Sequence, residues 1–148
     1  MTNNQKFGWI IFGTFLATLV GCKTLQETAE GKKFTQPEGV VLMTEAELRN
    51  TLVGNTYEGV HQVRWPGSTY IEYLHPDGKI LGLWNGYNRY WGKWAISDKV
   101  FCSKYKSSSG CYTLTKSGNT IYWHDLNGKK IKNAQSNVMV GDPKNLSN

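Results

Sequence analysis

The sequence predicts a small, mainly β domain: an antiparallel up-and-down barrel of about eight strands, preceded by one short helix. Three observations carry this. Between residues 56 and 140, short runs rich in β-branched and aromatic residues recur at roughly 8–12-residue spacing. Turn-forming residues separate them, as in Pro76-Asp77-Gly78, Asn85-Gly86, Ser117-Gly118-Asn119 and Asn127-Gly128. Every gap is too short for a helical crossover, so consecutive strands must be antiparallel neighbours, and closing the sheet leaves no exposed edge.

The chain opens differently. Residues Phe7 to Val20 form an apolar run behind Lys6, followed by Gly21 and Cys22. A charged start, an apolar middle and a small-residue end make a secretory signal. As a helix the run spans about 21 Å, short of the roughly 30 Å hydrocarbon core, which argues against a retained transmembrane anchor. It is apolar all round, which argues against a soluble amphipathic helix. Leu19-Val20-Gly21-Cys22 resembles the lipobox of bacterial lipoproteins. The resemblance implies that residues 1–21 are removed and that Cys22 becomes a lipid-carrying first residue. Lys23 follows, and with no Asp at that position the resemblance implies an outer-membrane address facing the periplasm.

Residues 22–41 contain Gly31, Lys32, Lys33, Pro37 and Gly39 and show no hydrophobic period, so they are expected to be a flexible tether, up to roughly 60 Å long, between lipid and domain. Residues 42–146 are the domain. Thr44 and Glu47 form a capping box, Leu48 and Leu52 an apolar stripe, and Gly54-Asn55 a stop, so a helix is expected over Thr44 to Leu52. It is too short to stand alone and must dock on the sheet.

The expected strands are Thr56 to Val63, Ser68 to His75, Lys79 to Trp84, Arg89 to Ser97, Val100 to Tyr105, Cys111 to Thr115 and Thr120 to Asp125, with Lys129 to Gln135 and Asn137 to Val140 closing the series. In the fourth, Tyr90, Gly92, Trp94 and Ile96 form the inward face, and Gly92 is expected to let a ring or backbone approach. In the second, Ile71 and Tyr73 share a face with His75, while Tyr70 and Leu74 flank Glu72, so its inward side is ambiguous. Asn127-Gly128 favours a type I′ turn.

The formal charge is +6. In an exported chain this argues for solubility or for acidic envelope neighbours, and against nucleic acid. With Cys22 lipidated, Cys102 and Cys111 remain as an even pair in a disulfide-permissive compartment, where a bridge across a polar Ser-Gly tip is expected; a redox-active pair would need closer spacing and an electropositive helix start.

The order of Leu42, Thr44 and Glu45, then Leu52, Gly54 and Thr56, Tyr73 with Asp77 and Gly78, Gly92 with Trp94, Cys102 with Cys111, Gly128 and Gly141-Asp142-Pro143 resembles a family of secreted bacterial domains of unknown function, the one numbered nine-nine-five. The resemblance covers roughly residues 42–146. It implies a calycin-like barrel and export, and it implies no activity.

No catalytic set is legible. His61, His75 and His124 lack metal-ligand spacing, His124 and Asp125 point to opposite faces of a strand, and no nucleophile elbow or phosphate loop occurs. Glu72 and Asp77 are expected to be a solvated strand residue and a turn former. No metal or cofactor is expected, and the domain reads as non-enzymatic. The density of aromatics points to a core and also to a binding surface, with Trp84, Tyr87, Arg89, Trp91 and Lys93 as its candidates for stacking on a sugar or a partner and for pairing with an anion. The expected function is thus a lipid-anchored envelope module, binding or structural, contacting the membrane through its lipid and an envelope protein or glycan through this surface. The alternative is an inhibitor of a secreted hydrolase such as lysozyme or a protease, with the bridged hairpin as its wedge. A pocket inside the barrel would favour a small ligand; a filled interior would favour a surface partner.

Overall fold

Period-two alternation and tight turns close residues 56–139 into a complete cylinder. The computed structural model describes residues 24–62 and 65–148; the signal segment, Cys22 and the end of the first expected strand at Val63 lie outside them. Eight antiparallel strands follow in order: β1 (Thr56–Val60), β2 (Thr69–Leu74), β3 (Lys79–Trp84), β4 (Asn88–Ser97), β5 (Val100–Tyr105), β6 (Ser109–Ser117), β7 (Thr120–His124) and β8 (Lys130–Met139). Each pairs with the next, and β1 also pairs with β8 from Thr56↔Met139 to Gly59↔Ser136, so the barrel is closed. This is the mainly β, up-and-down, calycin-like architecture expected. The last two expected runs form a single strand, β8, whose pairing with β7 shifts register between Tyr122 and His124.

Two turns that look alike in sequence differ in backbone. Asn85 and Gly86 both have positive φ, 51° and 79°, as a type I′ turn requires. At Asn127-Gly128 only Gly128 does, with φ 80°. There the Asp125 carboxylate accepts from the backbone N–H groups of Asn127 and Lys129, each at 2.9 Å. That side chain organises the loop around a single left-handed residue, so the type I′ expectation fails at this position.

The expected helix is present as α2 (Glu45–Leu52; a six-residue helix before it is α1, below), with both halves of the Thr44/Glu47 capping box formed. Leu48 and Leu52 are fully buried and join Leu74, Ile80, Ile96, Leu114 and Ile121 in the main core. Gly54, at φ 75°, lets the chain turn from α2 into the wall, where its N–H donates to the Leu74 carbonyl at 2.8 Å. α2 therefore plugs one end of the barrel.

Residues 24–41 depart from the expected tether. Thr24 and Glu27 form a second capping box and start α1 (Leu25–Glu30). Leu25 and Ala29, one turn apart, face the outer side of β4 and β5, where Ala29 packs with Ala95, Val100 and Cys102. Phe34 extends this cluster, and the Thr35 N–H donates to the Leu126 carbonyl at 2.8 Å. The cause is local: a cap plus two apolar residues at helical spacing suffices once a wall offers small side chains to receive them. Cys102 and Cys111, directly opposite in the β5–β6 ladder, are disulfide-bonded beneath this layer.

Leu52→Ala truncates one of the plug's two fully buried leucines. It is expected to lower unfolding free energy by about 2–5 kcal/mol, read as a fall in thermal midpoint by circular dichroism with the β signal retained below the transition.

Candidate functional site

The ambiguous second strand decides what the barrel contains. Tyr70, Glu72 and Leu74 face inward, and Ile71 and Tyr73 face outward. Glu72, expected in solvent, is 5% exposed. Its cross-strand partner Tyr57 donates its hydroxyl to Oε2. Tyr90 and Tyr105 donate to Oε1 at 2.6 and 2.8 Å. One carboxyl thus collects three phenols from β1, β4 and β5. Asp77 is far from this arrangement in role: it caps the β2–β3 turn, accepting from Lys79, whose hydrogen bond lowers its pKa to about 2. The two acids form no pair.

Glycines give the tyrosines their room. The Tyr105 ring lies over Gly92, where a Cβ would come within 2.6 Å of Cδ1. Tyr90 lies over Gly82, its cross-strand partner, and Tyr70 over Gly59 in the same way. The close approach expected at Gly92 is therefore present, and it recurs on neighbouring strands. Rings laid against the wall at glycine leave the centre of the barrel open.

That open space is a cavity of about 470 Å³, reached from the end of the barrel opposite α2. Its inner part is bounded by Glu72 and its tyrosines, with Phe101 and Trp123 beside them. The Trp123 indole N–H donates to Ser136 Oγ at 2.9 Å, and Ser136 also bonds the Tyr70 hydroxyl at 2.7 Å. At the mouth, His61 packs on Trp84 and Tyr70 with ring centroids 4.7 and 4.9 Å apart, and Trp65 meets Trp84 at 5.0 Å. The β5–β6 tip, residues 106–110, completes the rim.

Burial dominates the electrostatics. It raises the pKa of Glu72, against the lowering effect of its three hydrogen bonds. Burial, reinforced by the nearby Glu72 charge, raises Tyr57, Tyr90 and Tyr105, so these phenols keep their protons and remain donors. Burial also brings Tyr70 up to about 12 and lowers His61. Among the described residues no lysine or arginine hydrogen-bonds or ion-pairs with Glu72.

No family model, curated protein or solved structure matches this chain.

The surface candidates scatter. Trp84 points inward at the mouth, and Trp91 borders the cavity from the outward row of β4, 69% exposed. Tyr87 stands in the β3–β4 turn, 73% exposed. Arg89 is committed to the chain itself, donating to the carbonyl oxygen of Asn148 at 3.1 Å. Lys93 is exposed, opposite Lys79 and Lys104 on adjacent strands. Among the described residues no His, Cys, Asp and Glu cluster could hold a metal ion. Of the histidines, His61 lines the mouth, His75 contacts Asp77 at 2.7 Å, and His124 is buried with Nε2 3.1 Å from Thr115 Oγ1. Sequence reasoning missed Glu72 as a buried group, Tyr57 and Tyr105 as its donors, and Ser136; it placed Tyr90 inward without its partner. A signal did exist: Glu72 is the single acid between two aromatic or apolar inward candidates, Tyr70 and Leu74.

A carboxyl with a higher pKa folded than unfolded contributes most to stability when protonated, and that contribution is lost as pH rises through the folded value. For Glu72 the window opens above its ordinary value of 4.5. Carboxylates whose pKa folding lowers, such as Glu45 and Glu47, act oppositely but equally in a paired comparison. Wild type is therefore expected to lose stability relative to Glu72→Gln as pH rises from 4.5 towards neutrality. Parallel denaturant titrations of the two chains across this range check it, and a pH-independent difference would contradict it.

Proposed function

We propose that this is a non-enzymatic, lipid-anchored binding module of the cell envelope that takes a small ligand into the mouth of its barrel. The observation that carries the reading is the cavity of about 470 Å³, walled by aromatic rings and ending on a few convergent polar groups. Ligand sites of roughly 300–1,000 Å³ have this composition. The alternative of a projecting inhibitory wedge is less favoured, because the hairpin tip at 106–110 borders the cavity.

The anchor reading rests on the apolar run and Leu19-Val20-Gly21-Cys22; the resemblance to the secreted family numbered nine-nine-five supports export, and Lys23 in place of an Asp after the cysteine supports an outer-membrane, periplasm-facing address. The docked α1 changes its geometry. With Thr24 already capping a helix packed on β4 and β5, only Lys23 separates it from Cys22. Such a link spans at most about 7 Å. A lipidated Cys22 thus holds the α1 side of the barrel close to the bilayer instead of suspending the domain far above it. Exposed Tyr87 and Trp91 remain available to an envelope protein or glycan.

Two measurements test this. Mass spectrometry of the chain from fractionated membranes is expected to find acylated Cys22 as the first residue. Titration with the uncharged fluorophore N-phenyl-1-naphthylamine is expected to show one saturable site per chain. Ala134→Trp, which fills space at the cavity wall, is expected to reduce that uptake at least about ten-fold with an unchanged circular dichroism spectrum. Equal uptake by Ala134→Trp and wild type would place the fluorophore elsewhere and contradict the cavity reading.

A further inference from the structure

We infer that the ligand carries an ammonium group on an apolar body, with Glu72 as the anionic partner and the tyrosine rings around it as the walls that receive the positive charge. This rests on the cavity being a ligand site and names what that site selects.

The hydrogen bonds and the charge of Glu72 are met unequally. Three phenol donors satisfy most of the roughly four lone-pair positions of a carboxylate. They bring no countercharge, and no lysine or arginine among the described residues supplies one. A buried carboxylate without a cation is costly, and a purely structural hub could be built around a neutral amide at less cost. This buried acid borders open space. A cation entering there completes the pair from outside.

The surroundings fit the same species. Tyr90 and Tyr105 meet at 5.9 Å between centroids and Trp84 approaches Tyr90 at 6.4 Å, which puts a sequence of π systems between the mouth and the carboxylate. Aromatic faces attract cations, more strongly when water is excluded. An N–H of the ammonium group can take the remaining lone-pair position, while the apolar body lies against Trp84 and His61. An anionic head meets the opposite situation: the phenol donors that could have received it already serve Glu72, whose charge repels it. Lys106 is at the rim and exposed, so it does not alter the sign at the inner end.

The test uses the full-length chain in a non-ionic detergent at neutral pH and three probes that each carry a phenyl ring on a two-carbon linker: 2-phenylethylamine, 2-phenylethanol and 3-phenylpropionate. Affinities are read by calorimetry. The amine is expected to bind at least about ten-fold more tightly than the alcohol, with the carboxylate weakest. In Glu72→Gln the gap between amine and alcohol is expected to close, with the alcohol's affinity within about two-fold of wild type. Equal binding of amine and alcohol, or preference for the carboxylate, overturns the inference while leaving the cavity as a ligand site. Failure of all three to bind overturns the inference, and the fluorophore titration decides separately whether the cavity is a ligand site. If Glu72→Gln does not fold, the ranking on the wild-type chain decides alone.

Discussion

The interior of this barrel is organised by one carboxyl group and the three phenols that point at it. Glu72 draws hydroxyls from β1, β4 and β5 to a single spot, so strands far apart around the circumference are tied across the lumen. An inward acid in a barrel of this size must be solvated by protein, and the tyrosines are long enough to do so from the walls. Burial keeps those phenols protonated as donors, and their hydrogen bonds oppose the tendency of burial to protonate Glu72. Removing the acid would leave three hydroxyls seeking partners; removing the phenols would leave a bare buried charge.

The two ends of the cylinder then differ for physical reasons. At one end α2 drives Leu48 and Leu52 into a layer of aliphatic side chains, and the lumen is filled. At the other, Gly59, Gly82 and Gly92 lie under Tyr70, Tyr90 and Tyr105, and the rings lie flat against the wall. A Cβ at those positions would push the rings inward and occupy the space that is now open. The cavity is thus written in the pairing of a glycine on one strand with a tyrosine on the next, and the rim of His61, Trp65 and Trp84 extends the same aromatic lining outward.

Most of the wall was legible in the sequence because it depends on local signals. Turn residues and alternation place seven of the eight strands, the capping box at Thr44 places α2, and Gly92 announces a ring. The interior was harder. Alternation in β2 offers two faces, and only the neighbours across β1 and β4 show that Glu72 has partners; no pattern within one strand contains that information. The candidate surface suffered similarly: Trp84, Trp91 and Arg89 are close in sequence, yet barrel geometry sends the first into the mouth, the second to the outer wall and the third to the carbonyl at Asn148. The layer formed by residues 24–41 is different, since its signal repeats one already recognised. Thr24 and Glu27 carry the same motif as Thr44 and Glu47, and Leu25 and Ala29 share a face. What the sequence lacked was the receiving surface, small Ala95 on the outward side of β4.

The state of Glu72 tests this picture most directly. Carbon-13 NMR of the side-chain carboxyls, with Glu72 assigned through Glu72→Gln, reports its titration separately from the exposed acids. The expected result is a Glu72 signal that titrates above the ordinary carboxylate range while the tyrosine hydroxyl protons exchange slowly. A signal titrating with the surface glutamates, beside freely exchanging hydroxyls, would mean that the carboxyl faces water and that the lumen is not built around it.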